Sequence, residues 1–240
     1  MPPAHTVPWH QRLMQRLPQW LQRPVLRFEA EIRRSLCAFA AELPAGSRVL
    51  DAGAGECQHA QRFAHCRYTG VDLRVGDASW NYSRIDVVGD LARLPFVDRA
   101  FAAALNIVVL EHTTDPAQVL AELARVMQPG GRLLLIAPQE WGMHQTPHDY
   151  FRYTRFGLEL LLGRAGFGDL QIAPVGGFFT LLGRRCLEAT LFFQGGWRWL
   201  LLPFVALLAG PVGVLLPCLD ALDRRKLTTL GYVVRARRAR

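Results

Sequence analysis

No acidic residue precedes Glu29, a single lysine stands against 27 arginines, and the five cysteines show no CxxC pair or Cys/His ligand spacing. The odd number and scattered positions of Cys37, Cys57, Cys66, Cys186 and Cys218 exclude a disulfide framework and a zinc site. They read as reduced core thiols of a cytosolic protein, and no metal is expected. The first residues lack the compact apolar run and small-residue cleavage site of a secretory signal, and they hold too little serine for a transit peptide. The net charge of +8 comes from arginines spread along the chain, and RARRAR at the end is the only dense basic run. Scattered arginines are weak evidence for nucleic acid and no such partner is expected, while RARRAR reads as a solvated tail or as a contact with anionic lipid. Internal repeats and low-complexity segments are also missing, and a hydrophobic content of 50% excludes a disordered chain.

What is present is a long alternation of short apolar runs and helical patterns from about residue 45 to 175, which predicts βαβ units and a parallel sheet. Strands are expected at 48–51, 67–72, 84–89, 101–109, 132–138 and 169–175, with another at 231–237. In PAQVLAELARVM, Val119, Leu120, Leu123 and Met127 share one face of a helix, and Pro129-Gly130-Gly131 should stop it. Ahead of the sheet, Trp9, Leu13, Leu17, Trp20 and Leu21 recur at near-helical spacing and predict a helical cap over residues 1–44, with an interfacial helix as the second reading.

The chemistry is concentrated in VLDAGAGEC, Val49 to Cys57. A strand ends on Asp51, and Gly53 and Gly55 follow, allowing the tight turn and close backbone approach that a ligand at a helix N-terminus needs. Asp72 ends the next strand 21 residues later, where a carboxylate can accept both hydroxyls of a ribose. Asp90 follows the third strand, where it can meet an adenine edge, and Asn106 to His112 closes the fourth. Several polar groups in register along one sheet edge point to a nucleoside-bearing cofactor. A nicotinamide dinucleotide is the runner-up, but GAGECQ puts Gln58 where GxGxxG needs its last glycine.

Taken in order, LDAGAGEC, YTGVDL, GDLARLPF, VLEHTTDP, LARVMQPGGRLLLIAP and HDYFRYTRFGLELLLGRAGF resemble the class I S-adenosylmethionine-dependent methyltransferases, type-11 domain. The resemblance implies an α/β, Rossmann-like seven-stranded sheet, mostly parallel, with an antiparallel last strand. It implies S-adenosyl-L-methionine as cofactor, with Asp51, Gly53 and Gly55 on its methionine side, Asp72 and Leu73 at the ribose, Asp90 and Leu91 at the adenine, and Asn106 near the sulfonium. Cys57 and Ala102 depart from the family pattern, standing where many members have a glycine and an acid.

An acceptor that loses its proton during attack needs a general base. His148 in PHDYFRYT is the first candidate, in a loop leaving the ligand edge together with Asp149, Tyr150 and Tyr153; His112 is the second, with packing as its alternative role. Glu111 reads as structural or as a hydrogen-bond acceptor on the cofactor side.

Trp199 to Leu219 contains no charge over 21 residues, about the length that spans a bilayer. In the fold implied, the sixth and seventh strands are neighbours, so both must lie on one side of any membrane and a single crossing is excluded. Pro203, Pro211 and Pro217 with Gly210 and Gly213 should break the run into short pieces, as in a re-entrant or interfacial element. Trp197 and Trp199 stand where interfacial anchors belong, and a basic segment follows at 224–226. The organisation expected is a methyltransferase domain over 45–176 and 228–240 with a hydrophobic helical insertion at 177–227. The function expected is methyl transfer to a lipid-linked or membrane-associated small molecule by an enzyme attached monotopically to the inner face of the cytoplasmic membrane. A soluble metabolite methyltransferase using the insertion as a homodimer interface, and a non-catalytic assembly protein on the same scaffold, are the alternatives.

Overall fold

The computed structural model describes residues 26–76, 79–193 and 195–240; the expected cap before residue 26 lies outside the described residues. Among the described residues the chain divides into two compact units, one built on Ile32–Ala173 and Tyr232–Arg240, the other on residues 26–31 and Pro174–Gly231.

The first unit is organised by a seven-stranded sheet of β1 (Arg48–Ala52), β2 (Arg67–Asp72), β3 (Val87–Val88), β4 (Phe101–Ile107), β5 (Met127–Pro138), β6 (Phe167–Val175) and β7 (Gly231–Arg238), in the spatial order β3-β2-β1-β4-β5-β7-β6. Its helices are α1 (Arg27–Ala41), of which Ile32 onward belongs to this unit, α2 (Pro116–Val126) and α3 (Arg155–Arg164). Strands β1 to β5 pair in parallel. β7 runs antiparallel to β6: the Ala239 N–H just past the end of β7 donates to Gly166 O just before the start of β6.

The central strands carry few polar residues because both faces are covered: Leu50, Leu105, Leu133 and Leu134 have no exposed surface, and the face carrying Leu50, Ala104 and Leu133 shares one core with Val119, Leu120 and Leu123 of α2. Asp115 caps α2 by accepting the Gln118 N–H (2.9 Å), and Pro116 occupies the first turn, where its missing N–H costs nothing.

Three expectations need correction. The third strand shrinks from 84–89 to two residues, because the Asp86 carboxylate takes the Gly70 N–H (2.8 Å) that a longer ladder would use. The helix before Pro129 stops earlier than the turn expected to end it. β5 begins at Met127, and Pro129-Gly130-Gly131 lies inside the strand beside a register shift opposite Phe101 and Ala103. All five cysteines are free, but only Cys57 is buried, while Cys37 and Cys218 are exposed. Short sequence context gives no sign of which face a lone cysteine will take.

The second unit pairs α4 (Phe178–Ala189) with α5 (Leu202–Leu215). Gly183 and Gly213 permit their close approach: a Cβ on Gly183 would lie 2.7 Å from Gly213 O, and one on Gly213 would lie 2.5 Å from Leu187 Cγ. The first turn of α4 is tied down by acids from the end of the insertion. Asp220 accepts the Thr180 N–H (3.0 Å) and hydroxyl (2.8 Å), and Asp223 accepts the Phe178 N–H (2.8 Å). The charges on α4 are paired, Arg184 with Glu188 (2.9 Å) and Glu29 (3.6 Å), and Arg185 with Glu188 (2.7 Å).

The prolines do not break the apolar run as expected. Pro203 and Pro217 occupy first-turn positions of helical segments, where a missing N–H is tolerated, and only Pro211 interrupts a helix interior. Gly196–Ala221 is therefore one 26-residue helical stretch, long and apolar enough to cross a membrane and almost wholly unburied.

Candidate active site

Parallel register brings the ends of β1, β2 and β4 to one edge, and a cavity of about 530 Å³ opens there, within the range usual for small-molecule sites. Gly53, Gly55, Asp72, Leu73, Asp90, Leu91, His112 and His148 all line it, so eight residues expected from five separate stretches of sequence converge. Trp80, Gln58 and His59 line it as well, and no sequence pattern marked them as ligand contacts.

The glycine turn is built for closeness. Gly53 has φ +88°, and a Cβ on it would fall 2.4 Å from Val109 Cγ1; Gly55 has φ +52° and gives its N–H to Asp72 Oδ2 (2.9 Å). Asp72 Oδ1 accepts the Arg74 N–H (2.7 Å). The carboxylate is thus fixed at the end of β2 by two backbone donors, with remaining lone pairs for a diol. Asp90 accepts the Ala92 N–H (2.9 Å), which orders the turn carrying Leu91. Immediately after β4, Val108 is held at φ +58°, a costly conformation for a β-branched residue, and it too lines the cavity.

Two expected residues stand behind the cavity wall. Asp51 is 1% exposed and accepts the Tyr68 hydroxyl proton at 2.5 Å. Asn106 is fully buried and ties β4 to β1 through Nδ2 to Ala52 O (3.0 Å), leaving its Oδ1 without a hydrogen-bond partner. Neither is among the residues lining the cavity. Both belong to strand ends, but their side chains point into packed protein, a distinction that alternation cannot make where a strand is buried on both faces.

Burial pushes the Asp51 carboxyl up to about 7, opposed by the Tyr68 hydrogen bond and reinforced by the Asp72 charge. The folded chain therefore holds a proton there that the unfolded chain releases near pH 4. Stability is full below that pH and is lost as pH rises toward 7, by roughly 4 kcal/mol for this group alone. Asp51→Asn should flatten the decline in melting temperature between pH 5 and 7.5. Parallel pH profiles of the two proteins would exclude this assignment.

Another wall of the cavity is formed by the end of β4 and the loop after β5. Arg152 grips Asp149 with both terminal nitrogens (2.6 and 2.7 Å), and this pairing holds the Asp149 carboxyl down to about 2. Tyr153 donates its hydroxyl proton to Leu110 O (2.9 Å). His148 Nδ1 lies 3.0 Å from the Tyr150 hydroxyl. His112 is engaged at both ring nitrogens, donating from Nδ1 to His148 O (2.6 Å) and meeting His144 Nε2 at 3.1 Å through its own Nε2. Burial pulls its imidazole below the usual histidine range. Glu111 is wholly buried, neither carboxyl oxygen has a hydrogen-bond partner, and burial raises it to about 8. His144 went unnoticed in the sequence because its neighbours His112 and Glu111 lie 32 and 33 residues upstream.

Residues 50–135 match the family described as methyltransferase domain. A probable S-adenosylmethionine-dependent methyltransferase of Mycolicibacterium smegmatis is 38% identical over 157 residues, covering 60% of this chain and 60% of its own length. A demethylmenaquinone methyltransferase of a Mycobacterium species, strain KMS, is 38% identical over 109 residues, covering 43% of this chain and 46% of its own. The chain thus spans less than two thirds of these relatives. Among solved structures, phosphoethanolamine N-methyltransferase 2 of Haemonchus contortus, in complex with S-adenosyl-L-methionine, aligns with a TM-score of 0.54 at 16% identity, over 88% of this chain and 53% of its own. That likeness supports the fold. Together with the ordered strand-end residues around the cavity, the matches show that residues 50–135 are similar to a methyltransferase domain, the stretch that supplies most of the cavity's strand ends.

Proposed function

We propose that this protein transfers a methyl group from S-adenosyl-L-methionine to an amphiphilic, lipid-linked small molecule at a membrane surface. The observation that carries the acceptor class is the exposed apolar face of the second unit: Trp197, Phe204, Leu207 and Leu208 are 68–73% exposed on a helical stretch almost none of which is buried. Such a surface in water marks an interaction site. Lipid accounts for it best, because tryptophans stand at the start of the stretch and Arg224, Arg225 and Lys226 follow its end. The relatives named for demethylmenaquinone agree with a lipid-like acceptor.

The cavity suits the cofactor. Asp72 offers a fixed carboxylate for a ribose, Asp90 and Leu91 form a wall for the base, and the Gly53–Gly55 turn leaves room for the amino-acid end. When bound, the cofactor supplies a methyl group already activated on a sulfonium. The chain's own contribution is then alignment and exclusion of water, which in well-oriented systems lowers a barrier by about 7–11 kcal/mol. His148 is the proposed base for a hydroxyl acceptor; His112, with both nitrogens engaged inside the protein, orients the loop that carries it.

The test uses purified protein, methyl-labelled S-adenosyl-L-methionine, and separate lipid and aqueous extracts of the source cell. Label entering the organic phase supports the reading. Label confined to the aqueous extract, with the lipid-free protein a stable dimer, would replace it with a soluble methyltransferase joined through the insertion.

A further inference from the structure

We propose that Glu111, His112 and His144 form a binding site for a divalent transition-metal ion of the zinc type, at the wall of the cavity where β4 meets the loop after β5. Three ligand atoms converge there: His112 Nε2 and His144 Nε2 are 3.1 Å apart, and Glu111 Oε1 lies 3.8 Å from the first and 3.9 Å from the second. The point equidistant from all three is about 2.1 Å from each, which is the length of a zinc–nitrogen or zinc–oxygen bond.

The far side of each imidazole fixes what the near side offers. His112 Nδ1 faces His148 O (2.6 Å) and His144 Nδ1 faces Gly142 O (3.2 Å). A carbonyl oxygen can only accept, so both Nδ1 atoms carry the proton. In the neutral rings both Nε2 atoms then present lone pairs to one another, an arrangement that needs a cation between them. Asp149 supports the set from behind, 3.8 Å from His112 Nδ1 and 3.5 Å from His144 Nδ1, and is itself clamped by Arg152. Backbone carbonyls and a carboxylate behind ligating histidines are the usual second layer of a metal site.

Glu111 supplies an independent observation. It is wholly buried and both its carboxyl oxygens lack hydrogen-bond partners, a costly state for a polar group unless something binds there. A single shared proton could bridge the two imidazoles, but it would leave the Glu111 oxygens unsatisfied. An ion takes a lone pair from each of the three residues at once, including Glu111 Oε1. Three protein ligands also leave a coordination position open, as in sites that bind water or substrate. The ion would pin the loop bearing His144 and His148 to the end of β4.

The test is metal binding, which does not depend on methyl transfer. Untagged full-length protein, stripped with a chelator and dialysed, is titrated with zinc against a chromophoric competitor, and with cobalt while the visible spectrum is recorded. Wild type should take up one equivalent of zinc, show visible cobalt bands of low-coordinate nitrogen and oxygen ligation, and melt at a higher temperature with zinc. His144→Ala changes a partly exposed loop residue, and Glu111→Gln preserves shape; each should weaken zinc binding more than tenfold while the melting temperature without metal stays near wild type. Failure of the wild type to bind a stoichiometric ion, or equal affinity in both variants, would overturn the site and leave a proton-bridged histidine pair. A protein that binds zinc yet methylates nothing would retain this inference while removing the proposed function.

Discussion

Asp72→Ala should weaken S-adenosyl-L-methionine binding by more than tenfold. A hydrogen bond to a charged group is worth about 1.5–3 kcal/mol, and the Asp72 carboxylate would offer such bonds to the ribose of the cofactor. The substitution also releases the Gly55 and Arg74 N–H groups, so the glycine turn loses the anchor that holds it open for a ligand. Asp72 is partly exposed at a strand end, and the fold should survive its loss; a melting curve in the absence of cofactor checks this. Calorimetry measures the affinity directly, and equal affinities would remove Asp72 from the ribose site.

The second large effect concerns the insertion. Replacing Trp197, Phe204, Leu207 and Leu208 by serine should release the protein from sedimented anionic vesicles. Fully burying side chains of this size stabilises by about 1.5–3 kcal/mol each, and even ~1 kcal/mol at an interface makes four of them worth at least a hundredfold in partitioning. The four are 68–73% exposed, so the variant should fold and melt as wild type does. Unchanged sedimentation would exclude lipid as the occupant of this surface. Conversion of a lipid-free dimer to a monomer would identify a second copy of the chain instead.

Much of the fold was legible because its signals are local. The second strand, Arg67–Asp72, was expected at the residues where it lies, and β7 was missed by one residue. Strand ends at glycines and acids also located one edge of the sheet, and with it eight of the cavity residues. The sequence was silent where an outcome depends on distant partners. Tyr68 covers Asp51 through a cross-strand hydrogen bond, Asp86 cuts short a strand by capturing a neighbour's N–H, and Glu111 and His112 meet His144 only because a loop folds back. The prolines of the apolar run misled for a related reason. A proline breaks a helix interior but fits a first turn, and which of these applies to Pro203 and Pro217 depends on where each helical segment starts.

The two halves of the molecule meet in one measurement: label transfer from S-adenosyl-L-methionine to lipid-phase acceptor carried in vesicles, comparing wild type with the four-serine variant at matched cofactor occupancy. If the insertion delivers the domain to its acceptor, the variant should bind the cofactor as wild type does and transfer label to the vesicle lipid at least tenfold more slowly. Equal rates from the two proteins would contradict the account, showing that methyl transfer does not depend on the apolar helix.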